Sequence, residues 1–476
     1  MTSTTTEDPC SSYEYQNGFG NVLESESIPG TLPHGRNNPR TISLYTEQLS
    51  GSAFTQPRNL NLHTWLYRKQ PSVVHNAQNS WSLSCNGGGD DDDDNDDVYF
   101  GGADPAAGVL DPNPIRWRPF HQEENDNDEK VAARRVVDFV KGTHLLGGSG
   151  DPATKSGLAI YMYIFDRDMT KNGSSSFMYN SDGDFLLVPQ EGDLDVRTEL
   201  GCLSVKPREI VVIPRGVVFS IDGDGGGGGR RHRGYILEIY KGHFVLPELG
   251  PIGSNGLVNA RDVQYPVAWT EPPFRKDTPA TLYNKFGSRL WRKKITTTPF
   301  NVVAWHGNYL PFKYDLKNFC AVNSVTYDHV DPSIYTVLTC AGDEPGTALC
   351  DFVIFPPRWM STDSNTFRPP WFHRNTMTEF MGLIQGGYDA KKGFEAGGAS
   401  LHSCMTPHGP DTATYDKAVA DPCDKPTYFS GGLAFMFETS HMLRLSKYAL
   451  DHACRDVDYS KCWEDLPDRF SSEEKK

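Results

Sequence analysis

Four residues of this 476-residue chain stand at spacings that suit a divalent metal: His373, Glu379, His402 and His408. His373 and Glu379 are six apart. On a helix that separation is about 600°, leaving the side chains roughly 120° out of line, whereas on a strand it puts both on one face. Pro369 and Pro370 just upstream argue against a helix. One strand face would then offer an imidazole and a carboxylate, and either His402 or His408 supplies a third ligand. Two histidines and one carboxylate leave metal positions open for substrate and O2, as ferrous oxygenases require. Zinc also accepts such a set, so the ligands alone do not name the metal.

The bland alternative is that these are four ordinary surface or core residues among the 14 histidines of the chain. Glu379 speaks against it: with Met377 on one side and Phe380–Met381 on the other, a buried carboxylate there needs a partner. His306, in NVVAWHGN, closes an apolar run just before Gly307. An imidazole at such a strand end suits a general base near neutral pH, although a hydrogen-bonded core histidine gives the same pattern. His329, in YDHVDPS, carries no comparable signal.

The elements that must position these groups read as mainly β. Gly 45 and Pro 33 are abundant, 37% of residues are hydrophobic and 22% charged. Strand-like runs recur at Leu158–Phe165, Asp184–Val188, Glu209–Ile213, Val217–Ile221, Tyr235–Tyr240 and Phe244–Leu246. A second set comprises Asn301–Trp305, Ser333–Leu338, Asp351–Phe355 and Gly432–Glu438. Turn residues between them suit a β-sandwich or jelly roll. One helix is expected over Lys130–Lys141 from its apolar stripe. The boundary falls near 295, giving an N-terminal β-rich domain (1–295) and a C-terminal domain (296–476). Two low-complexity stretches, 86–97 and 223–234, cannot bury apolar surface and read as surface loops, the second as a long hairpin insertion.

The formal net charge is −15, but seven aspartates lie in Asp90–Asp97, leaving −8 elsewhere. That balance excludes a nucleic-acid binder, and Arg230–Arg233 reads as a solvated loop tip. No apolar run is long enough to span a bilayer, and no charged-then-apolar leader is visible. Ten scattered cysteines without a CxxC pair read as mostly reduced thiols and a cytoplasmic address.

Longer motifs carry a resemblance. YQNGFGN (Tyr15–Asn21), LYTEQLSGSAFTQPR (Leu44–Arg58), TWLYR (Thr64–Arg68), LGPIGSNGLVNARDV (Leu249–Val263) and FNVVAWHGNYLPFKYDLKNF (Phe300–Phe319) cover the first two thirds of the chain. DFVIFPPRW (Asp351–Trp359), FRPPWFHRNTMTEFMGLI (Phe367–Ile384) and SLHSCMTPHGPD (Ser400–Asp411) follow. Together they resemble the homogentisate 1,2-dioxygenase family over nearly the whole chain. The resemblance implies Fe(II)-dependent ring cleavage of homogentisate by O2 to maleylacetoacetate, in tyrosine and phenylalanine catabolism, without flavin, haem or reductant. It implies His373, Glu379 and His408 as iron ligands, with His408 also meeting substrate. His306 would be the base, Tyr388 a substrate contact and His402 a residue behind the ligands. It further implies a cupin-type fold with the catalytic iron in the C-terminal domain, and hexamers built as a dimer of trimers. The stretch His373-x-Asn375-x3-Glu379-x6-Gly386 is similar to the first cupin metal motif, with asparagine where many cupins have histidine. Gly387 departs from the histidine expected of animal members.

Two rivals remain at this stage: a related extradiol-type enzyme acting on gentisate or another phenol, and a metal-binding cupin without catalysis. A zinc hydrolase would need a base beside the metal water, and no HExxH pattern supplies one.

Overall fold

The computed structural model describes residues 13–33, 42–84, 99–121, 136–171, 175–223, 230–272, 279–322, 329, 335–366, 371–388, 390–391 and 393–469. The chain forms two compact units, Met1–Val109 with Gln122–Cys320 and Arg444–Ala449, and Leu110–His121 with Ala321–Leu443 and Leu450–Lys476. The division after Cys320 lies beyond the expected boundary near 295 for a plain reason. Val302–Gly307 and Phe312–Asp315 pair into sheets of the first unit, so the chain has not left it at 295.

The first unit is a β-sandwich of a nine-stranded and a seven-stranded sheet, with a four-stranded sheet besides. Phe185 of the larger sheet and Phe219 of the smaller meet edge to face at 6.4 Å, and Phe139 touches Phe219 and Phe165. Aromatic rings therefore fill the space between the inner faces. Strand Ser156–Phe165 is buried along nearly its whole length because both faces are covered.

Several expectations change here. Where the helix was expected, 136–138 is irregular and 139–142 forms a turn in which Gly142 N–H donates to the Asp138 carbonyl; Lys130–Arg135 lies outside the described residues. Phe244–Leu246 makes no strand. The glycine-rich stretch joins Phe219–Gly223 in the seven-stranded sheet to His232–Ile239 in the nine-stranded one, so it crosses between sheets and is not a hairpin. The basic cluster is no free loop tip: Arg233 is buried, donates to Gln190 and pairs with Glu191. The aspartate-rich stretch 86–97 lies outside the described residues. Among the described residues seven cysteines are free and Cys202 is disulfide-bonded.

The second unit is organised by one antiparallel six-stranded sheet. In order its strands are Thr336–Ala341, Ala348–Phe355, Leu433–Thr439, Thr378–Gln385, Ala399–His402 and Ile115–Trp117. Register turns this sheet into two surfaces. Phe352, Phe437, Phe380, Leu401 and Ile115 lie in one cross-strand row, all buried, with Phe380 stacked on Phe437 at 6.0 Å. One residue along, Asp351, Glu438, Glu379 and His402 form the next row. Successive side chains point to opposite faces, so apolar packing on one face fixes a row of ionisable groups on the other.

Gly386 ends the central strand with φ +70°, and a Cβ there would lie 1.6 Å from the Gly431 carbonyl oxygen. Gly386→Ala should cost about 2–4 kcal/mol from backbone strain and displacement. Gly387→Ala, with nothing near its Cβ, should change stability by less than about 0.5 kcal/mol. Denaturant midpoints of the two variants check this; equal midpoints would remove the turn from the account.

Candidate metal centre

Glu379 sits second in strand Thr378–Gln385 and is buried. His373 and His408 are not on that strand. They form an isolated antiparallel bridge, in which His373 N–H donates to the His408 carbonyl at 2.9 Å and His408 N–H donates back at 3.0 Å. Two backbone bonds thus hold two imidazoles side by side, with ring centroids 4.1 Å apart. The bends at Thr376–Met377 swing the pair over the strand, so the single-strand-face reading of His373 and Glu379 is replaced by a strand plus a bridge.

The three side chains converge. His373 Nε2 lies 3.1 Å from Glu379 Oε1, and His408 Nε2 lies 2.9 Å from Glu379 Oε2. One ligand atom from each falls within 4.8 Å of the other two. His408 Nδ1 faces the Thr406 carbonyl at 2.9 Å, so that nitrogen carries the proton and Nε2 is left for a metal. The donor set of two imidazole nitrogens and one carboxylate fits a divalent transition metal with open positions.

Electrostatics agree with the geometry. Burial works to raise the Glu379 pKa, but hydrogen bonds from His373 and His408 and their charges outweigh it and hold the carboxyl far below its ordinary range. Burial works to lower the His373 pKa, and the Glu379 hydrogen bond and charge overcome it, leaving a net rise. Asn375 donates from its amide to Glu379 Oε1 at 3.1 Å and to Glu438 Oε1 at 2.6 Å, separating two carboxylates of one cross-strand row.

Behind this triad His402 is buried and stacks on His408 at 4.0 Å with the planes 6° apart. Its Nε2 meets Lys391 Nζ at 3.1 Å and the Tyr459 hydroxyl at 2.9 Å. Burial pushes the Lys391 ammonium down to about 7, against the smaller opposing pull of Glu379. Tyr388 lies in the same compact unit, half-buried, with its ring edge-on to Phe355 and Phe394.

His306 is not part of the triad and belongs to the first compact unit. It stands in strand Val302–Gly307, paired to both neighbouring strands, with Nε2 3.0 Å from the Tyr67 hydroxyl. Burial depresses its pKa, outweighing the raising effect of Glu24, so the ring is neutral near pH 7. Tyr67, Lys391, Glu438 and Tyr459 carried no signal in the sequence reading. Lys391 sits in DAKKG and Tyr459 in a polar tail, both of which look like solvated chain.

Residues 14–316 match the family model described as homogentisate 1,2-dioxygenase N-terminal, and residues 317–470 match the C-terminal one. A homogentisate 1,2-dioxygenase of Dictyostelium discoideum is 50% identical over 462 residues, covering 96% of this chain and 98% of that protein. The Homo sapiens and Drosophila melanogaster proteins of that name are each 48% identical, over 96% and 97% of this chain and 97% and 99% of theirs. Among solved structures, a cupin 2 conserved barrel domain protein from Leptotrichia buccalis aligns with a TM-score of 0.27 and 6% identity, over 65% of this chain and 93% of that one. A likeness of that size carries no argument. The family models and the relatives do: the chain belongs to the homogentisate 1,2-dioxygenase family.

Proposed function

We propose that this chain is an Fe(II)-dependent homogentisate 1,2-dioxygenase, opening the aromatic ring with O2 to give maleylacetoacetate in tyrosine and phenylalanine catabolism. The observation that carries the reading is the convergence of His373, Glu379 and His408 in a chain of this family. The second compact unit is the catalytic iron-binding domain, of cupin type. When bound, the metal supplies a Lewis acid with positions open to a phenol oxygen and to O2.

The protein groups have separate tasks. His373, Glu379 and His408 hold the metal, the bridge between the two histidines keeping their spacing. His408 borders the substrate. Tyr388 offers its phenol to a bound aromatic acid. His306, neutral and steadied by Tyr67, takes the proton of the substrate phenol and so raises the electron density of the ring that O2 attacks. Both oxygen atoms enter the product, so no external reductant is required. Among the described residues no helix is long and apolar enough to cross a membrane. We further infer a cytoplasmic enzyme that assembles as a hexamer, a dimer of trimers, on the strength of the family resemblance.

Two outcomes follow. Fe(II)-loaded protein should consume one O2 per homogentisate and none with gentisate; His373→Ala should abolish uptake, and His306→Ala should lower kcat by about 10²–10⁴-fold. An oxygen electrode decides it, and uptake with gentisate but not homogentisate would reassign the substrate.

The second concerns pH. A metal can bind His373 only when the ring is deprotonated, and Glu379 keeps that ring protonated to higher pH than usual. Glu379 itself stays ionised throughout, being held far below its ordinary range. Affinity for Co(II) should therefore fall as pH drops through the raised His373 pKa, by about tenfold per unit for one displaced proton. Metal titrations between about pH 8 and about pH 5.5 measure the slope; a flat profile would contradict the ligand assignment of His373.

A further inference from the structure

Lys391 is buried, and among the described residues its ammonium has no carboxylate within ion-pair distance. A buried ammonium met only by an imidazole nitrogen and, at 5.4 Å, by the face of the Tyr459 ring is costly, so its place beside the metal centre calls for a task. Its hydrogen-bonding partner is His402 Nε2 at 3.1 Å, and the Tyr459 hydroxyl reaches the same nitrogen at 2.9 Å. As an ammonium Lys391 can only donate, and in that state His402 Nε2 accepts and the proton of that ring sits on Nδ1. Tyr459 is itself held from outside: Arg116 lies 4.7 Å from its ring centroid and is anchored by Asp456. His402 in turn lies flat on His408, the planes 6° apart.

We propose that Lys391 is a positioning residue of the metal centre, fixing with Tyr459 the tautomer and plane of His402 and, through that ring, the orientation of the ligand His408. The inference rests on the metal-centre reading above. Lys391 touches neither ligand nor carboxylate; it acts through one imidazole and one stacked face. The chain holds this ring by two donors because a stack alone fixes separation but leaves rotation in the plane free.

The test is a cycle among Lys391→Met, Tyr459→Phe, His402→Ala and the corresponding double variants in the full-length protein, loaded with Co(II) as a spectroscopic probe. Lys391→Met should weaken Co(II) binding about 10–100-fold, the usual range for groups supporting a ligand, and shift the Co(II) d–d absorption. It should lower kcat for homogentisate with little change in KM. Tyr459→Phe should move the same quantities in the same direction and keeps the question open to test where Lys391→Met folds poorly. In the His402→Ala background neither substitution should have more than about a twofold further effect, because both act through that ring. A fall in melting temperature with the Co(II) affinity and spectrum unchanged would overturn the proposal in favour of a purely structural lysine. A full effect that persists without His402, appearing in KM, would overturn it in favour of direct contact with the substrate anion. Failure of the unaltered protein to bind Co(II) would instead sink the metal centre itself.

Discussion

Glu379 is a carboxylate taken out of water, and most of the second compact unit can be read as the means of making that tolerable. A buried anion must be paired or lose its charge. Here two imidazoles meet its two oxygens and an asparagine amide meets one of them. The compensation is strong enough to hold the carboxyl ionised at any physiological pH. Once their Nε2 protons are displaced, the two imidazoles and the carboxylate present a charge and two nitrogen lone pairs to one point, which is what a divalent metal needs. Site and stability share one interaction.

That interaction is only as good as the sheet beneath it. The row of Phe352, Phe437 and Phe380 locks three strands in register by apolar packing on one face. A slip of one residue would exchange that row with Asp351, Glu438 and Glu379, exposing rings and burying three carboxylates together. The penalty for such a slip is what delivers Glu379, His402 and Glu438 to fixed neighbouring positions. Asn375 then keeps the two adjacent carboxylates apart, a task for an amide that a histidine at this place would perform only in its protonated form.

How much of this was legible in the sequence follows from the range of the forces involved. The strands Ser156–Phe165, Glu209–Ile213 and Ala348–Phe355 announced themselves because local β-branched and aromatic runs survive into the fold. The four chemical residues His373, Glu379, His402 and His408 were legible as a group, since all come from 36 consecutive positions. Their geometry was not. Even spacing suggested one strand face, but the pairing of His373 with His408 is a contact between residues 35 apart, invisible to periodicity. The same limit misread the glycine-rich segment: its flanking strands look like a hairpin locally, yet each finds its partners in a different sheet. Over 136–141 the expected helix gave way to irregular chain and a turn because Asp138 and Asp166 side chains bond the local backbone N–H groups, an alternative to helical bonding that a hydrophobic stripe does not report. Lys391 escaped notice for the opposite reason, since a lysine beside another lysine and a glycine is the signature of solvated chain.

Gly386 and Gly387 show which neighbouring positions matter to this design and which do not. Gly386, with its φ of +70° and its contact with Gly431, admits no side chain. At Gly387 itself a Cβ would meet nothing within 4 Å, and the residue is exposed. A side chain would fit there, and the lack of one removes no support from the buried row. The carboxylate, its two imidazoles and the stacked ring behind them are anchored by backbone bonds and strand register. Neither depends on that surface position, so variation at Gly387 can adjust the rim without disturbing the charge balance around Glu379.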